Sequence, residues 1–239
     1  MKNGAGQSHH SPNSAPVNPT DPDDSLVLSY LTLRKAVGII GLLLPFVLAI
    51  GKILLQGSGI EPSISCYYYT DTGGVFVGSL FAIGVFLFST RGYDLRDEIA
   101  GRLACLFAIG VALFPTSPCP GFPARHPAIS TVHWSCAALL FLTLAYFCLA
   151  LFTETAADRP PTRQKLHRNT VYRLCGYVIL ASILLIGVEN LFPPLRSLLN
   201  PFDPEFWLES IAVVTFGLAW ITKGETILKD QNVQSRALQ

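Results

Sequence analysis

Apolar residues in this chain are gathered into long blocks separated by short polar stretches. Six blocks stand out, at about 36–55, 73–90, 99–115, 132–152, 174–192 and 206–222. A helix needs about 20 mostly apolar residues to cross the hydrocarbon core of a bilayer. The alternation expected of barrel strands is absent, so each block predicts a helix. The blocks at 73–90 and 99–115 are short, so their flanking residues must take part or their helices must stand nearly upright. The pattern predicts an all-α, polytopic integral membrane protein, a six-helix transmembrane bundle over residues 28–228.

The two ends read differently. Residues 1–27 are rich in Gly, Ser, Asn and Pro, with His9, His10 and almost nothing apolar before Leu26. They predict a disordered cytoplasmic tail, and residues 229–239 a second one. The two adjacent histidines could bind a metal, but a pair in a flexible tail reads as incidental. The first block begins far from the N-terminus and is interrupted by Pro45, which predicts a retained helix and not a cleaved signal.

Composition agrees with this class and narrows the partners. Half of the 239 residues are hydrophobic and 14% are charged, against about 25% charged in a soluble domain. The mean hydropathy is +0.43. These values exclude a disordered chain, a fibrous protein and an ordinary soluble enzyme. A net charge of +1 offers no basic footprint for nucleic acid. The expected partner is the lipid bilayer itself.

The few charges orient the chain. Of the 17 lysines and arginines, only Lys52, Arg125 and Arg196 fall in one of the two sets of loops and span ends. The rest fall in the other set, which predicts that both termini are cytoplasmic and that the protein sits in the plasma (inner) membrane. Arg163, Lys165, Arg168 and Arg173 form a cytoplasmic basic cluster that either holds anionic lipid headgroups or only enforces topology. Arg91, Asp94, Arg96, Asp97 and Glu98 mix signs at short spacing and read as a self-paired turn.

Six cysteines are present. Cys105, Cys136, Cys148 and Cys175 lie in spans and read as small apolar packing groups. Cys66 and Cys119 fall in the two outer loops, on the same oxidising side, and predict a disulfide. Small residues at four-residue spacing predict helix seams: Ala104, Ala108 and Ala112 on the third span, Gly74, Gly78 and Ala82 on the second. The runs Ser79–Thr90 (SLFAIGVFLFST) and Cys105–Thr116 (CLFAIGVALFPT) are alike. They read as two draws from a limited apolar alphabet, not as an inverted repeat.

Ionisable groups inside spans cost about 2.5–3.5 kcal/mol each on insertion scales. Here they are Lys52, His133, Glu189 and Glu209. Placed by depth, all four fall near the outer ends of their helices. Tyr67, Tyr68, Tyr69, Asp71, Trp134 and Trp207 cluster at the same level. The pattern predicts an outward-facing polar pocket that binds a lipid headgroup or small solute. His133, Glu189 and Glu209 are its named members.

Three other readings stay open. Lys52 could pair with Glu189 or Glu209 simply to hold the bundle, which would make this a structural or assembly protein. The pocket could serve a small transporter. Or a His–carboxylate pair could run an intramembrane hydrolase or transferase. The sequence has no GxSxG, HExxH, Walker or dinucleotide-binding motif, and one span histidine cannot build a multi-histidine zinc hydrolase of the alkaline ceramidase type. No cofactor and no metal is expected.

The runs VHWSCAALLFLTLAYFCLALF, ALFPT and WLESIAVVTFGLAW, with six spans and inward termini, resemble bacterial six-span membrane proteins of unknown function. The layout over about residues 30–228 is also similar to the damage-regulated autophagy modulator family. The resemblance implies the six-helix layout and carries no catalytic residue across.

Overall fold

The computed structural model describes residues 22–57, 59–89, 94–154 and 162–224. His9, His10, Arg91 and the C-terminal tail lie outside the described residues. The described residues are helical or in short connections, with no strand among them. Among the described residues, four helices are long and apolar enough to cross a membrane: Leu31–Gln56, Pro127–Leu151, Arg163–Leu191 and Pro204–Lys223.

Among the described residues, seven α-helices follow one another: α1 (Pro22–Gln56), α2 (Gly73–Ser89), α3 (Leu95–Leu113), α4 (Pro127–Tyr146), α5 (Arg163–Leu191), the short α6 (Pro193–Leu199) and α7 (Pro204–Lys223). A six-residue 3₁₀ helix, Ile64–Tyr69, joins α1 to α2. Local chemistry sets several boundaries. Asp94 caps α3 by accepting from the Arg96 and Asp97 amides, and Thr162 caps α5 by accepting from Lys165. Prolines open α4 and α7, where the missing N–H is harmless.

Two boundaries differ from the sequence expectation. Helix α1 starts at Pro22, inside the stretch read as tail. Helix α5 starts at Arg163, so the expected basic loop is its first turns. Hydropathy marks only the part of a helix that suits lipid, and both helices continue as polar turns beyond it.

Each long helix packs on its chain neighbour, and α7 closes the ring against both α5 and α1. The cyclic order is therefore α1, α2, α3, α4, α5, α7. The closure is tight and antiparallel. A Cβ on Gly217 would stand 2.5 Å from the Leu42 amide, and one on Gly38 would stand 2.8 Å from the Ile221 amide. Only glycine allows backbones this close.

Ala104, Ala108 and Ala112 are buried, as their spacing predicts. The seam expected on α2 is elsewhere: a Cβ at Gly74 or Gly78 would meet nothing within 4 Å, whereas Gly84 packs on Ala108 and Cys105. At the end of α4 the helix widens by one residue, so that Phe152 donates to Phe147 at 2.8 Å. This seats Phe147 and Phe152 on the buried Trp220, with ring centroids 5.3 and 4.7 Å away.

Candidate functional site

The last turns of α1, α3 and α5 and the first turns of α2, α4 and α7 meet at one end of the ring, under the 3₁₀ helix. Several links hold that short helix there. Cys66 and Cys119 form the expected disulfide, with Cα atoms 5.7 Å apart. The Tyr69 hydroxyl donates to the Thr116 carbonyl at 2.8 Å. The Phe206 amide donates to the Pro62 carbonyl at 2.8 Å, tying α7 to the same segment. Tyr67 is fully buried and its hydroxyl accepts from the Glu61 amide at 3.2 Å. Burial pushes this phenol above its ordinary pKa.

His133 and Glu209 are brought together through Ser65. His133 is 1% exposed. Its Nδ1 lies 2.6 Å from the Phe114 carbonyl oxygen, and its Nε2 lies 3.0 Å from the Ser65 hydroxyl. A carbonyl only accepts, so Nδ1 carries the hydrogen, and in the neutral ring Nε2 accepts from Ser65. On the other side of Ser65, Glu209 Oε2 accepts the Ile64 amide at 2.6 Å, and the Ser65 amide and hydroxyl both interact with the same carboxylate. Ser65 has a single hydroxyl hydrogen. It satisfies both neighbours when the carboxyl is protonated and the ring neutral, or when the carboxylate is ionised and the ring protonated.

This chain of groups lines a cavity of about 240 Å³ between α4, α5 and α7, with Glu205, Asn190, Thr116 and Trp134. Trp134 Nε1 donates to the Thr116 hydroxyl at 3.0 Å, fixing one wall. A wider cavity of about 480 Å³ adjoins it at Thr116, Trp134, Asn190 and Glu205, and adds Glu189, Arg196 and Asp203. A small apolar cavity of about 60 Å³ shares Ser65, Ala137, Phe141 and Glu209 and continues among Leu80, Leu140 and Phe216. The three form one series, polar at the mouth and apolar at depth.

Carboxylates dominate its polar part. Glu205 and Glu209 are one turn apart on α7 and face the same space. Glu189 is 4% exposed, and its Oε2 is buried without a hydrogen-bond partner. Arg196 is the cation acting on both Glu189 and Glu205. Among the described residues no cluster of His, Cys, Asp and Glu has the makings of a metal site.

Other residues expected at the pocket stand outside these walls. Lys52 pairs with Glu61 at 2.6 Å, not with Glu189 or Glu209, and also donates to the Gly59 carbonyl at 2.6 Å. Tyr67, Tyr68 and Tyr69 hold the 3₁₀ helix and line none of the three cavities, Asp71 is exposed, and Trp207 packs on Phe206 with half its surface exposed. Sequence reasoning missed Ser65, Glu205, Asn190 and Arg196. Glu205 had a readable signal, its four-residue spacing from Glu209. Ser65 had none beyond its place beside Cys66.

The basic cluster at the opposite end is also divided. Arg163 and Arg173 are exposed, but Arg168 is buried, and Lys165 donates to the Phe152 carbonyl at 2.9 Å above the Tyr172 ring. Arg168 and Lys165 thus make contacts within the bundle. The expected mixed-sign turn is present where it is described: Arg96 bridges Asp94 and Glu154, each at 2.7 Å, and Arg102 pairs with Glu98.

In comparisons with protein-family models, curated proteins and solved structures, nothing matches this chain.

Proposed function

We propose that the protein is a six-span integral membrane protein of the plasma membrane, both termini inside, whose outward-facing pocket binds a small solute or lipid headgroup that carries a cationic group. One observation carries the reading. Three carboxylates, Glu189, Glu205 and Glu209, line one connected cavity with Arg196 as neighbouring cation, and Glu189 Oε2 lacks a hydrogen-bond partner. A buried polar atom left unsatisfied costs about 1–3 kcal/mol, and a cation placed against this carboxylate oxygen would offset part of that. A quaternary or primary ammonium also suits the indole wall at Trp134.

The six-span topology is supported by the ring, in which consecutive helices alternate direction and α2 and α3 complete the circle. Cysteines introduced at positions 125 and 165 should label from opposite sides of the membrane; labelling from the same side would reject this orientation.

For the pocket, the test is the melting temperature of purified protein with tetramethylammonium chloride or sodium phosphate. Tetramethylammonium should stabilise the wild type and fail to stabilise a Glu189→Gln/Glu205→Gln variant. Equal stabilisation of both proteins, or a larger effect of phosphate, would reject the cation-binding reading.

A second reading, acyl transfer, has one observation in its favour. Ser65 lies 3.0 Å from His133 Nε2 while the Phe114 carbonyl orients Nδ1, as a nucleophile, a base and an orienting group require. A fluorophosphonate probe should then label wild type and spare Ser65→Ala; an unlabelled wild type would leave binding alone.

A further inference from the structure

Helices α4 and α5 are close at one end and apart at the other. Near the opposite end, a Cβ on Gly176 of α5 would collide with Leu149, just past α4, and pack on Cys148. Eleven residues along the same helix, a Cβ on Gly187 would meet nothing within 4 Å. The space that opens between them is the cavity holding Ser65, Glu205 and Glu209. Its lips are apolar: Ala138 and Phe141 on α4, Ile183 and Gly187 on α5. Ala138 is exposed, and so is Leu184 at 66%. This opening therefore lies on the flank of the ring, on the apolar surface of two helices long enough to cross a membrane. It is distinct from the polar mouth at Arg196 and Asp203, where the wider cavity opens.

We propose that the pocket accepts the ammonium head of an amphiphile admitted sideways from the bilayer between α4 and α5, with the head at Glu205 and Glu209 and the tail lying through the Ala138–Gly187 gap. The proposal rests on the cation-binding reading above and adds the source and shape of the ligand. A free solute would need only the polar mouth, and an apolar side opening would serve it no purpose. A lipid-borne ligand needs both a polar end and an apolar flank. The small residues Ala138 and Gly187 leave room for a chain where larger side chains would fill the gap. Carboxylates at the inner end select the sign of the head.

The test compares chain lengths at constant head chemistry. Ethylammonium and octylammonium are titrated into the Trp207→Phe protein in maltoside micelles, with Trp134 emission as readout. Octanesulfonate, which has the same chain and the opposite charge, controls for uptake by the micelle. Octylammonium should half-saturate at a concentration at least about tenfold lower than ethylammonium, since each buried methylene contributes about 0.8 kcal/mol. Octanesulfonate should give no saturable change. In Gly187→Phe the ratio between the two amines should fall towards one, and Ala138→Phe on the facing helix should do the same if the first variant folds poorly. A ratio that persists in both variants would overturn the side opening, as would octanesulfonate matching octylammonium. If ethylammonium saturates but octylammonium gains nothing, the side opening fails and the pocket stands. If neither amine saturates, the pocket reading fails with it.

Discussion

The Lys52 ammonium lies 2.6 Å from the Glu61 carboxylate, and both side chains are 9% exposed. This pairing decides the charge of the pocket. Lys52 satisfies a carboxylate in the connection after α1, so Arg196 is the cation left to act on Glu189 and Glu205. Removing one partner of a buried ion pair leaves an uncompensated charge and costs about 3–5 kcal/mol, whereas replacing both by apolar groups is close to neutral. Lys52→Met and Glu61→Leu should each lower stability by about that amount, and the double variant should recover most of it. Unfolding of the purified protein in mixed micelles measures the three values.

The Cys66–Cys119 bond spans 53 positions and fixes the 3₁₀ helix above the site. Disulfides of this kind contribute about 2–4 kcal/mol. Reduction or Cys119→Ser should lower the melting temperature and weaken tetramethylammonium binding together, because Ser65 shifts when Cys66 is released. Gel mobility with and without reductant, read beside the melting curve, separates loss of the bond from loss of the protein.

The α1–α7 contact has no room for a methyl group. Gly217→Ala would press a Cβ on the Leu42 amide, and backbone cannot move aside as a flexible side chain can. Its folded yield should fall sharply. Gly78→Ala, where a Cβ meets nothing within 4 Å, should behave as wild type. Monodisperse yield after detergent extraction compares them.

At the opposite end, Asp94 caps α3. The hydrogen bond from the Arg96 side chain holds its carboxyl below the ordinary carboxylate pKa. A depressed folded pKa means that the stabilisation is complete above the ordinary value and is lost as pH falls through the depressed one. The protection factors of the Arg96 and Asp97 amides, corrected for the intrinsic pH dependence of exchange, should therefore be high at neutral pH and fall only in acid. In Asp94→Ala they should be low throughout.

Sequence gave depth well and azimuth poorly. Placing a residue along a helix needs only counting, so Lys52, His133, Glu189 and Glu209 could be assigned to one end, and Cys66 and Cys119 to each other. Which way a side chain points around the ring depends on how neighbouring helices pack. That is why Lys52 faces Glu61 and not the pocket, and why the small residues Gly74 and Gly78 form no seam although Ala104, Ala108 and Ala112 do. Ser65 was out of reach for a further reason. Its role comes from the 3₁₀ helix being held over the ring by the disulfide and by Tyr69, and neither the helix nor its seat leaves a hydropathy signal.

On the proposed reading, the carboxylate-lined cavity binds a cation. Trp134 lines it, and in the Trp207→Phe protein the only other indole is the buried Trp220. Titrating that protein with tetramethylammonium while following tryptophan emission tests the claim directly. A saturable change that disappears in Glu189→Gln/Glu205→Gln is the predicted result. A linear, unsaturable change, or a saturable one that survives the double substitution, would contradict it.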